Sequence, residues 1–293
     1  MFTLEGTYTA MVTPFSDGTV NESKLRENVE FQIENGISGL VPCGTTGESP
    51  TLTHDEHHRV IDIVIDAADG RVPVIAGTGS NNTAEAISLT EHAKEAGADA
   101  ALLITPYYNR PRQNGLIEHY KTVARNCNIP LIVYNCPGRT GVNTEVETVV
   151  ELAAEPNIVG IKEASGNMDQ ICDIILSTPD DFALLSGDDS MTVPMISVGA
   201  KGVISVTSNI VPGKMVEMTK AALEGDFALA NKIHSEIYSL MRNLMKVETN
   251  PSPVKTAMNI LGMDMGMLRL PLTEPNEQGI SILRDTMKKI GLL

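Results

Sequence analysis

The stretch Ile158-Val159-Gly160-Ile161-Lys162-Glu163 begins as an unbroken apolar run and ends abruptly in two charges. Continuous rather than alternating apolarity is what a parallel strand covered on both faces requires. Working outward, similar short runs recur roughly every 25 to 30 residues. They occupy 8–13, 39–43, 72–76, 100–105, 130–134, 182–185 and 203–206. Helix signals fill the gaps between them. Thr53 with Glu56, and Thr144 with Glu147, fit capping boxes. Pro212 stands where a first helical turn would begin, and Gly36 and Gly97 where helices would stop. Eight strand–helix units predict an α/β fold, a (β/α)8 TIM barrel over residues 1–224, with an open doubly wound sheet as the alternative. Residues 225–293 predict a helical C-terminal extension, with helices over 226–245, 252–261 and 278–290. No low-complexity linker precedes it, so it should pack directly on the barrel.

Composition limits the function classes. Of 293 residues, 42% are hydrophobic and 20% charged, the balance of an ordinary globular chain. Without Trp, aliphatic side chains and the 14 Met must fill the core. The 258–267 segment, rich in Met, therefore reads as core packing. A net charge of −15 argues against nucleic acid or an anionic membrane as the main partner. The N-terminus lacks a signal-peptide pattern, and no stretch approaches the ~18 apolar residues of a membrane span. Cys43, Cys127, Cys136 and Cys172 are scattered without a Cys-x-x-Cys pair, as expected of reduced thiols in a cytoplasmic protein.

In a barrel of this kind chemistry gathers at the C-terminal ends of the strands. Those ends carry Gly44-Thr45-Thr46-Gly47-Glu48, then Tyr107-Tyr108, Tyr134-Asn135 with Arg139, Lys162-Glu163 and Gly187-Asp188. Strand alternation puts Ile158, Gly160 and Lys162 on one face, toward the interior. Burial there would lower the Lys162 pKa, and a neutral amine can attack a ketone to form an iminium electron sink. A structural ion pair is the competing role for such a lysine. Thr45 and Thr46 offer hydroxyls and backbone N–H groups to a carboxylate, unless they form only a Gly-rich turn. Tyr134 could relay protons or simply pack, and Arg139 could hold a second carboxylate or lie on the surface. His54 and His58 have zinc-helix spacing, but Asp55 replaces the required Glu, so no metal is expected.

Taken together, Gly44-Thr45-Thr46-Gly47-Glu48, Tyr134-Asn135-Cys136-Pro137-Gly138-Arg139-Thr140 and Gly160-Ile161-Lys162-Glu163-Ala164-Ser165-Gly166 resemble the dihydrodipicolinate synthase and N-acetylneuraminate lyase family. The likeness runs from Thr13-Pro14-Phe15 to Leu268-Arg269-Leu270-Pro271. It implies a Schiff-base lyase without cofactor, in which Lys162 forms an imine with pyruvate. Thr45, Thr46 and the Gly187 and Ile204 backbone would surround the keto acid. Tyr134, Thr46 and Tyr108 would move protons, with Tyr108 reaching into a neighbouring subunit of a homodimer or, more usually, a homotetramer. Arg139 marks the members that take aspartate 4-semialdehyde as second substrate, in lysine and diaminopimelate biosynthesis. Another pyruvate-dependent aldolase, a sialic-acid lyase and a catalytically silent relative are the alternatives. The resemblance also implies an allosteric lysine site from Ser49, His54, His57, Asn81, Glu85 and Tyr107, where Pro50 departs from the usual small residue.

Overall fold

In the computed structural model, which describes residues 3–293, eight parallel strands close into a barrel. The first two residues of the expected 1–224 unit lie outside the described residues. The strands are β1 (Gly6–Ala10), β2 (Gly39–Val41), β3 (Ile75–Gly77), β4 (Ala100–Ile104), β5 (Leu131–Asn135), β6 (Ile158–Glu163), β7 (Ala183–Ser186) and β8 (Gly202–Ser205). They run in the order β2-β1-β8-β7-β6-β5-β4-β3, and a bridge between Leu40 and Val74 joins the two edges. Closure rules out the open sheet.

Helices follow the strands as crossover connections: α1 (Glu22–Glu34), α2 (His54–Ala68), α3 (Thr83–Ala96), α4 (Gln113–Asn126), α5 (Val146–Leu152), α6 (Met168–Ser177), α7 (Thr192–Ser197) and α8 (Pro212–Leu223). The capping box at Thr53 forms as expected, with Glu56 N–H donating to Thr53 Oγ1 and Thr53 N–H to the Glu56 carboxylate. The one expected at Thr144 does not. Glu145 is the N-cap of α5 and makes no side-chain cap, while buried Thr144 Oγ1 pairs with Thr105 Oγ1 at 3.0 Å. A tertiary hydrogen bond has taken the hydroxyl the cap would have used.

Two apolar layers make the barrel. Leu4, Tyr8, Val41, Ile75, Leu102, Ile132, Leu185 and Ile204 fill the interior. A larger set, including Leu103, Val133, Ile161, Leu184 and Val203, packs the outer faces of the strands against the helices. Ile158 belongs to this outer layer, contrary to the simple alternation. The β5–β6 register shifts between Leu131 and Ile132, so that Ile158 pairs with Leu131 but Gly160 with Ile132. Downstream of that irregularity the period of two holds and Lys162 faces inward. Strand β1 also ends earlier than expected, at Ala10. Beyond it Val12 N–H turns to the Asn209 side chain at 3.2 Å.

The C-terminal helices are α9 (Phe227–Lys246), α10 (Ser252–Ile260) and α11 (Glu277–Lys289), close to the expected spans. Leu240, Leu244, Val254, Met258, Met265, Leu283 and Met287 form their shared core, which reaches the barrel through Val12, Val206 and Ile210. Met267 is a correction to the core reading of the Met-rich segment, being 78% exposed. No helix among the described residues is long and apolar enough to cross a membrane.

Candidate active site

The C-terminal strand ends converge as the fold requires. Lys162 on β6 sits in register with Tyr134 on β5. Its Nζ lies 4.2 Å from the Tyr134 ring centroid, and only 6% of the residue is exposed. Burial strips water from the ammonium and lowers its pKa to about 8; nearby Cys136 and Asp189 oppose that shift. The same burial pushes the Tyr134 phenol upward. Gly187, after β7, leaves space for the lysine stem. A methyl group there would meet Ala164 Cβ at 2.8 Å and Lys162 Cε at 3.2 Å.

Outside the barrel wall a buried network fixes the end of β6. The Glu163 carboxylate accepts from Asn135 Nδ2 at 3.0 Å, Gln170 Nε2 at 3.2 Å and Ser165 N–H at 2.5 Å. Adjacent residues thus point opposite ways, Glu163 into a satisfied polar lattice and Lys162 into the cavity.

The loop after β2 turns tightly, with Gly47 N–H donating to Gly44 C=O and Glu48 N–H to Thr45 C=O. Glu48 takes a positive φ of 55° and is completely buried. Its carboxylate accepts from Lys255 Nζ at 2.7 Å and from Arg269 N–H at 3.0 Å. Lys255 also donates to Thr13 C=O at 2.9 Å, and both Lys255 and Arg269 stack over Phe15. The structural ion pair imagined for Lys162 is therefore made by Lys255, whereas Lys162 faces an aromatic ring.

A cavity of about 120 Å³ is bordered by Thr45, Thr46, Tyr134, Arg139, Lys162 and Gly187, among others. Arg139, on the single turn Pro137–Thr140, is exposed and donates through Nη2 to the Asn250 backbone oxygen at 2.9 Å. Ile204 lies in the interior layer below; Val206, two residues on, borders the cavity. Tyr108 borders neither this cavity nor its neighbour, has a positive φ of 72° and is 89% exposed. Sequence reasoning missed Asn250 and Cys136 as site residues; both border the cavity, as does the strand-end residue Asp188. Only the Asn250-Pro251 break hinted at the first, and it reads as a helix boundary.

A second cavity, about 420 Å³, shares Gly44, Thr45, Leu102, Tyr134 and Arg139 with the first. Ser49, Pro50, His54, His57, Glu85 and Tyr107 border it. His54 Nε2 lies 2.9 Å from Glu85, which also accepts from Ser80 Oγ. Buried His57 donates through Nε2 to Gly77 C=O, and burial lowers its pKa to about 4. Asn81 stands behind this wall, donating to the Tyr107 carbonyl at 3.2 Å. No group of three or more His, Cys, Asp or Glu among the described residues is arranged to hold a metal.

Comparison with known proteins agrees over nearly the full length. The 4-hydroxy-tetrahydrodipicolinate synthase of Nitratidesulfovibrio vulgaris is 52% identical over 290 residues, covering 99% of each chain. The chloride-inhibited dihydrodipicolinate synthase of Acinetobacter baumannii, solved with pyruvate, superposes with a TM-score of 0.97 at 45% identity, covering 99% of this chain and 100% of that one. The enzyme of Cyanidioschyzon merolae, solved with lysine bound, gives 0.96 at 40% identity with 99% of each chain covered. The profile of the dihydrodipicolinate synthetase family matches residues 3–290. The chain belongs to the dihydrodipicolinate synthetase family.

Proposed function

We propose that this chain condenses pyruvate with L-aspartate 4-semialdehyde to give 4-hydroxytetrahydrodipicolinate, through an imine on Lys162. The observation carrying this reading is a buried lysine of lowered pKa facing Tyr134, in one cavity with Thr46 and Arg139. The neutral Lys162 amine adds to the pyruvate ketone and expels water, forming the imine. Loss of a methyl proton, relayed by Tyr134 and Thr46, gives the enamine. Its carbon attacks the aldehyde, whose oxygen takes up a proton and becomes the hydroxyl. The amino group of the second substrate then attacks the imine carbon and releases Lys162, closing the ring. One water leaves overall, and the iminium is the electron sink, so the sequence of steps calls for no cofactor. Arg139 is the partner for the carboxylate of the semialdehyde.

Assembly and regulation follow the same reading. Exposed Tyr108 would complete the neighbouring site in a homodimer or tetramer of this chain. The larger cavity would take lysine, its ammonium on Glu85. Calorimetric titration in the presence of pyruvate should show lysine binding, and a flat titration would remove the effector role. Turnover is tested by coupling to the NADPH-dependent reductase that consumes the product. Oxidation of NADPH requiring both substrates is expected. Silence with a verified coupling enzyme would shift the reading to another aldehyde acceptor.

A further inference from the structure

Asn250 lies between α9 and α10, 204 positions from Thr46 in sequence, yet it borders the cavity that holds Lys162. It touches two groups of the site at once. Its Nδ2 donates to Thr46 Oγ1 at 3.1 Å, and its backbone oxygen accepts from Arg139 Nη2 at 2.9 Å. Its own Oδ1 is buried without a partner among the described residues. Leaving a buried amide oxygen unmatched costs stability, so the side chain is not placed for its own satisfaction. What it does control is the direction of a neighbouring hydroxyl. A threonine hydroxyl has one proton and two lone pairs. Accepting from Asn250 occupies one lone pair of Thr46 and leaves its proton for another acceptor. Asn209, another buried asparagine, ties backbone groups only; Asn250 ties reactive ones.

We propose that Asn250 is a positioning residue: its amide sets the direction in which the Thr46 hydroxyl donates, and its carbonyl seats Arg139. The C-terminal segment thereby aligns the groups that serve each of the two substrates. This inference rests on the pyruvate-imine reading above.

The test uses Asn250→Asp and Asn250→Ala with two readouts. Borohydride trapping of pyruvate reports the imine, and exchange of the pyruvate methyl protons in D2O reports the enamine without the second substrate. Asp has the shape of Asn but only accepts, so Thr46 must donate to it and its proton leaves the relay. Ala leaves Thr46 free to reorient. Both variants should trap pyruvate fully. Exchange should slow by about tenfold or more in Asn250→Asp and by less in Asn250→Ala. KM for the semialdehyde should change little in Asn250→Ala, because the carbonyl that holds Arg139 survives.

A merely structural role predicts the reverse order, with the isosteric Asp milder than the cavity-forming Ala, and that order would overturn the proposal. So would exchange at the wild-type rate in both. The new charge of Asp acting on Lys162 through space would move the pH midpoint of trapping upward; a shift accounting for the whole loss would also overturn it. Should Asn250→Ala fail to fold, Asn250→Asp decides alone, and wild-type exchange there ends the case. Failure of the unmodified enzyme to trap pyruvate sinks the underlying reading instead, and the role of Asn250 with it.

Discussion

At Lys162 two properties of one residue agree. Its position at the end of an apolar strand was legible in the sequence, and the expected consequence, a lowered pKa from burial, is found. The sign fixes the pH dependence. Below about 8 the ammonium predominates and cannot attack a ketone. The rate of imine formation should therefore rise with pH and level off above that value, as read by the pH profile of kcat/KM for pyruvate. Lys162→Ala should abolish the borohydride-trapped adduct. Arg139→Ala should keep the adduct and raise KM for the semialdehyde by about tenfold or more, the loss expected of a charge-assisted pair. Loss of the adduct in that variant would contradict the division of roles. At this scale the sequence misleads in one place. Ile158 was expected beside Lys162 inside the barrel, but the register shift between Ile158 and Gly160 leaves it facing outward.

At the scale of elements, the loop after β2 depends on a contact far away in the chain. Glu48 closes the Gly44–Glu48 turn and is matched by Lys255 on α10, both almost wholly buried. Removing one member of such a pair leaves the other charged and unpaired. Lys255→Met should destabilise the fold by about 3–5 kcal/mol, measured by urea denaturation. Adding Glu48→Gln should recover part of that loss, since no unpaired charge is left behind. Independent losses in the two variants would mean the pair is not coupled. Helix ends show the same limit of local reading. The Thr53 cap formed where sequence alone suggested, whereas Thr144 was claimed by Thr105 just beyond the end of β4. A local motif succeeds when nothing distant competes for its hydroxyl.

For the whole molecule, Tyr108 poses the clearest question. It is aromatic, highly exposed and held at a positive φ, a conformation costly for a bulky side chain without a purpose elsewhere. If it serves the neighbouring site, mixing inactive Lys162→Ala with weakly active Tyr108→Phe protomers should restore a substantial fraction of activity. Mixed dimers would then contain one complete site each. No gain after subunit exchange, followed by coupled assay, would return Tyr108 to its own chain. Periodicity determined the barrel, because eight covered parallel strands must each read as a short apolar run with a crossover helix after it. Strand-end position and motif determined Lys162, Tyr134, Thr45, Thr46 and Arg139 as candidates, because a barrel presents chemistry on one face. Tertiary structure alone decided that Asn250 meets Thr46 and Arg139, that Lys255 neutralises Glu48, and that two cavities share a wall at Thr45 and Tyr134. The physical reason is range. Periodicity and caps are set by neighbours a few positions apart, whereas the Asn250–Arg139, Asn250–Thr46 and Lys255–Glu48 contacts join residues 111, 204 and 207 positions apart in sequence, and nothing local to either end records the other.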